Sequence, residues 1–290
     1  MIYPATNSML YLFLEIITAS LFAGLLLGLH RKVIARIQRR PGPPLIQYML
    51  HTLKFFIKEL TIPDTSSMPL YVAIALALAG AWVLAFLVGP VLLGPYIIII
   101  MCYAVHKVSE HGIGLATGSP YAKFGSSRAV LSATSEMPLV VAPALVFVRT
   151  NSLILQDIIN YQIINGSLVN QLPLAALATF ILVITKTPFN PFGIVYGKDI
   201  ISGFKTEHFG VIRGVLMFGE TLAFFVLLWC FLVIFFGGVI NTPLTILLAM
   251  IGVTFILGFI CALTPMVAPY HSVMIQWIFA LLAIANVLLI

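Results

Sequence analysis

With 290 residues, 61% of them hydrophobic and only 8% charged, and a mean hydropathy of +1.11, this chain has too little polar surface for a soluble domain, in which about 25% of residues are charged. The net charge of +6 does not mark a nucleic-acid binder, because the basic residues stand in short segments between apolar runs, where phospholipid headgroups and partner subunits are the neighbours. Cys102, Cys230 and Cys261 stand alone, without CxxC spacing or a nearby histidine pair, which points away from a metal on this chain and from a disulfide framework.

The composition predicts an all-α integral membrane protein, a single membrane domain over residues 1–290, with about eight transmembrane helices of about 20 apolar residues each. The first span runs from Met9 to Leu29. No basic stretch and no small-residue cleavage site accompanies it, so it reads as a retained helix rather than a signal peptide. Next, the rigid turn Pro41-Gly42-Pro43-Pro44 leads into Leu45 to Leu60, where apolar residues recur at helical spacing between His51, Lys54, Lys58 and Glu59. That segment is too short and too charged to span. It reads either as an amphipathic helix on the cytoplasmic interface or as a helix buried against a partner.

Further spans are predicted at Leu70 to Val88, Pro95 to Ala116, Ala129 to Val148, Gln171 to Thr185, Val211 to Phe236, Pro243 to Leu263 and Pro269 to Ile290. Lysine and arginine fall in alternate loops: Arg31, Lys32, Arg36, Arg39, Arg40, Lys54 and Lys58, then Lys123 and Arg128, then Lys186, Lys198, Lys205 and Arg213. By the positive-inside rule these loops are cytoplasmic. The opposite loops hold only Arg149, which puts both termini outside.

Charged groups within a bilayer cost several kcal/mol unless paired, neutralised or hydrated, so Glu15, Lys107, Glu110, Glu136 and Glu220 are functional candidates. In the third span His106 and Glu110, and Lys107 and His111, are four apart, while Lys107 and Glu110 are three apart. Such neighbours pair or pass protons. At about 1.5 Å per residue, Glu110, Glu136 and Glu220 each lie roughly 12 to 14 Å in from the cytoplasmic face, which makes a lateral row of acids. The bland alternative is that each acid is an inert packing device. Glu15, nearer the outer face, is the weakest candidate, and His271 reads as an interfacial residue.

The run from Gly28 through His30, Arg31-Lys32 and Arg39-Arg40 to Pro41-Gly42-Pro43-Pro44, continuing to Lys54, Lys58-Glu59 and Ile62-Pro63, resembles the first cytoplasmic segment of the respiratory complex I subunit 1 (NuoH) family, which includes subunits of membrane-bound NiFe hydrogenases. The likeness continues at Ser119-Pro120-Tyr121-Ala122 to Arg128, at Ser135-Glu136-Met137-Pro138, at Thr187-Pro188-Phe189-Asn190 and at Gly203 to Gly210. The forms SPYAxxGSxR and KExxIP are more similar to the hydrogenase branch. The resemblance implies proton-path acids at Glu136, Glu207 and Glu220 and a basic junction with iron–sulfur subunits at Arg31, Lys32, Arg36, Arg39, Arg40, Arg128 and Lys205. It also departs from the family in the run from Asn190 to Asp199, where only Asp199 remains of an acid-rich loop, and at His51, where relatives carry Asp.

These expectations give a proton path of Glu136, Glu220, Glu207, Glu110, Asp199, Lys107, His106 and His111. The resemblance implies no cofactor on this chain, with the NiFe centre and iron–sulfur clusters on partner subunits. The partners would be the large and small hydrogenase subunits, ferredoxin-like subunits and antiporter-like membrane subunits, with ferredoxin as electron partner. Two rivals remain: a quinone-site subunit of a complex I-like dehydrogenase, and a free-standing proton-coupled transporter.

Overall fold

The computed structural model describes residues 9–187, 190–192, 207–240 and 242–286, and these residues form helices joined by turns, with no strand among them. The first helix, α1 (Met9–Ile37), runs two turns past the apolar stretch and carries Arg31, Lys32 and Arg36 on its own extension. The amphipathic segment forms α2 (Gln47–Ile57), which leaves Leu50, Leu53 and Ile57 exposed and rests on its neighbours through the opposite side. After it come α3 (Met68–Phe86) and α4 (Tyr96–Ala116). Pro90 lacks an amide hydrogen, and the end of α3 widens there into a π-helical turn, Leu87–Val91.

The chain departs most from the sequence reading just after α4. Ala129 to Val148, expected as one span, is two helices, α5 (Pro120–Ser135) and α6 (Pro138–Thr150), broken at Glu136 and Met137. Pro138 favours the break: proline fits the first turn of a new helix, whereas inside a continuing one it removes a hydrogen bond and crowds the preceding turn. Two unpredicted short helices, α7 (Leu155–Asn165) and α8 (Leu168–Gln171), precede α9 (Pro173–Lys186). The chain then forms α10 (Gly210–Phe236), α11 (Pro243–Leu263) and α12 (Pro269–Ala285).

Among the described residues, α1, α3 with its π turn, α10 and α11 are long and apolar enough to cross a membrane, and α6, α9 and α12 are shorter apolar helices. Beyond Glu220, α10 is apolar on every side, Thr221 to Phe235 are all buried, and α1, α2, α3, α9 and α11 pack around the helix. A helix without a polar face belongs at the centre of a bundle. By contrast α11 and α12 present wide apolar faces outward, as lipid-facing helices do.

Two glycines seat α2 between α1 and α10. A β-carbon at Gly28 would lie 1.8 Å from the Leu45 carbonyl oxygen, and one at Gly210, where φ is +60°, would lie 2.1 Å from that of Glu59. Gly210→Ala is therefore expected to lower stability by about 2 kcal/mol or more, from left-handed strain plus displacement of the Glu59 backbone. A thermal-unfolding shift of the assembled protein measures it, and an unshifted midpoint would contradict the close approach.

Candidate functional site

Helix α4 puts Tyr103, His106, Lys107 and Glu110 at spacings of three and four, so they share a face. The break between α5 and α6 brings Glu136 to that face, and α9 brings Lys186, its last residue. Lys107 Nζ lies 3.1 Å from Glu110 Oε2 and 2.9 Å from Glu136 Oε1. Lys186 Nζ donates to the same Glu136 oxygen at 3.1 Å, and His106 Nε2 stands 3.4 Å from Glu110 Oε1. All five side chains are at least nine-tenths buried. Below them the Tyr103 ring lies 4.8 Å from Lys186 Nζ and 6.0 Å from Lys107 Nζ, within cation–π range.

Two ammonium groups and two carboxylates give this cluster zero formal charge while His106 is neutral, and balance is what a buried ionic group requires. Glu136 is the pivot, since one oxygen serves both lysines.

Trp82 on α3 fixes the state of His106. The indole nitrogen only donates, and it donates to His106 Nδ1 at 3.0 Å, so that nitrogen holds a lone pair and Nε2 carries the hydrogen aimed at Glu110. His106 cannot take a proton at Nδ1 unless Trp82 lets go. The imidazole so held meets Glu110 through Nε2. In protein labelled with 15N-histidine, Trp82→Phe is expected to turn one fixed tautomer into an averaged pair of ring-nitrogen shifts; an unchanged fixed tautomer would refute the role of Trp82.

The other sequence candidates are dispersed. Lys107 turns to Glu110 and Glu136, whereas His111 Nδ1 bonds the Ser126 carbonyl on α5 at 3.1 Å. Glu207 accepts from Ser119 Oγ at 3.0 Å, at the start of α5. Glu220 is half-buried on α10, next to Gly219, which abuts Leu78 and Ala79 of α3. Arg31 and Lys32 are half-buried at the end of α1, Arg36, Arg39 and Arg40 are exposed beyond them, and Arg128 is half-buried on α5. Asp199 and Lys205 lie outside the described residues.

His51 faces the same basic end. Partial burial, with Arg213, Arg31, Lys54 and Lys58 nearby, holds its imidazole below the usual histidine range. Lowering the pH through that range adds charge to an already basic patch, so the seating of α2 weakens on acidification.

Sequence reasoning missed Lys186, Trp82 and Tyr103. By position Lys186 is a loop charge, yet its side chain is only 7% exposed. A lysine directly ending an apolar helix was the available signal. Among the described residues no group of three or more His, Cys, Asp or Glu is placed to hold a metal ion.

The profile of the NADH dehydrogenase family (NADHdh) matches residues 9–290. A Methanocaldococcus jannaschii protein whose name assigns it to the NADH-ubiquinone oxidoreductases is 48% identical, over 94% of this chain and 92% of that one. A subunit of the NADH-quinone oxidoreductase of Salinibacter ruber is 28% identical, over 78% of this chain and 71% of that one. In structure the chain is similar to one from the membrane-bound sulfane sulfur reductase, an archaeal respiratory membrane complex: TM-score 0.83, 29% identity, 96% of this chain and 98% of that one.

Proposed function

The chain belongs to the NADH dehydrogenase family, and on that ground we propose that it is the membrane subunit through which a respiratory-type redox complex couples electron transfer to ion movement. The observation that carries this reading is the Glu136 carboxylate, buried at a helix break and shared by Lys107 and Lys186. A proton arriving there weakens two ion pairs at once and leaves two ammonium groups to one carboxylate, Glu110. Lys186 then favours releasing a proton, and balance returns one group further along. No redox group on this chain takes part in that exchange.

The basic end formed by Arg31, Lys32, Arg36, Arg39, Arg40 and Arg128 would face the iron–sulfur subunits, on the cytoplasmic side, with both termini outside. A change of charge there would reach the cluster through Glu207 and α5, whose first turn bonds Glu207 and whose last turn ends at Glu136. Glu220, on central α10, would continue the path toward antiporter-like subunits. The parent complex in this reading is a ferredoxin-linked NiFe hydrogenase, on the strength of the SPYAxxGSxR and KExxIP forms. The likeness to the sulfane sulfur reductase chain favours a second reading, in which a partner subunit reduces sulfur while this chain does the same work.

The test is redox-driven ion uptake by the purified complex in proteoliposomes. Loss of uptake with retained electron transfer in Glu136→Gln supports the role, and unchanged uptake would sink it. Assaying the same complex for hydrogen evolution and for polysulfide reduction separates the two parents.

A further inference from the structure

Beside the end of α1 a cavity of about 340 Å³ opens at the basic end of the bundle. Arg31, Gln38 and Arg40 line one wall, Asn190 lies within, and Cys261, Ala262, Thr264 and Met266 close it from the end of α11. No acid is among the described lining residues. Arg40 Nε donates to Gln38 Oε1 at 2.9 Å, which holds its guanidinium in place. Asn190 is 3% exposed; its amide nitrogen caps the Thr185 and Thr187 carbonyls, but its Oδ1 is buried with no hydrogen-bond partner among the described residues. A buried acceptor left without a donor is costly, so the site suits a ligand that brings a donor.

The surroundings say where such a molecule comes from. Ile256, Phe259 and Leu263 fall at spacings of three and four, form one exposed apolar stripe on α11, and lead directly to Met266, which is 48% exposed at the cavity mouth. An acyl chain lying on that stripe delivers its headgroup into the cavity. We propose that this cavity binds a phosphate ester carrying a hydroxyl, supplied as the phosphoglycerol-type headgroup of an anionic membrane lipid. The phosphate is held by Arg31 and Arg40 and the hydroxyl donates to Asn190 Oδ1. Basic pockets between membrane helices recognise anionic headgroups in this way, and the guanidinium fork suits phosphate. The proposal needs only the membrane placement of α1 and α11 and is independent of ion coupling through Glu136.

A phosphatidylglycerol whose diazirine sits next to the glycerol tests it on the intact complex in membranes. Adducts are expected to concentrate on Ala262 to Met266 and on Ile34 to Gln38. Arg40→Gln, and separately Met266→Glu, which sets a carboxylate at an already exposed position, should each cut that yield about fivefold. Adducts at exposed Leu281 on α12 serve as the control and should not change. Equal labelling by the choline analogue, or yields indifferent to both substitutions, would overturn the assignment. Excess sodium phosphate should not displace the label; if it does, the ligand is a soluble phosphate and the lipid source is wrong.

Discussion

Replacing Lys107 by methionine is expected to destabilise the chain by about 3 to 5 kcal/mol, the range for removing one partner of a buried ion pair. Lys107 is the cation common to Glu110 and Glu136, at 3.1 and 2.9 Å. Without it two carboxylates face Lys186 and a neutral imidazole, the cluster carries a net negative charge, and one acid must bind a proton. The measurement is the yield and thermal midpoint of the assembled complex after extraction. Lys107→Met with Glu110→Gln restores balance, since Lys186 and Glu136 remain as a pair, and should recover most of the loss. A double variant no better than the single one would show that packing, not charge, sets the cost.

Glu136→Gln is expected to do the reverse: mild for the fold, severe for coupling. Lys107 keeps Glu110, the glutamine carbonyl still accepts a hydrogen bond, and Lys186 can become a neutral amine, so the stability loss is about 1 to 3 kcal/mol. Yet the titratable group that touches both cations is gone. Ion movement per electron should fall by about a hundredfold, the scale on which a positioned acid or base acts. Electron transfer on the partner subunits should persist. The contrast between the two variants is the informative result, because a merely structural cluster predicts that coupling follows stability in both.

The locally written features were legible. Apolar runs marked the long helices because span length and hydropathy are properties of a segment by itself. The apolar run of α10 read as a span, and the lack of a polar face beyond Glu220 suits its place at the bundle centre. Spacing alone gave the Lys107 pairing with Glu110 and the His106 pairing with Glu110, both within two turns of α4. The helix break at Glu136 was not read: Pro138 is its local mark, but the apolar residues on either side made Ala129 to Val148 look continuous.

The sequence by itself determined the class of protein, the placement of most helices and the acids that a membrane would not tolerate without a reason. Only the tertiary structure decided which of those acids share a site. Glu136 meets Lys186 across fifty residues, and Trp82 meets His106 across twenty-four. Neither pairing has a period or a spacing, because helix packing and not the chain's own geometry brings them together. The same is true of Lys186, which reads as a loop charge by position and becomes a buried ion only when α9 is packed against the break. A charge count along the chain gives each group's sign, but its partner is set by the neighbouring helix.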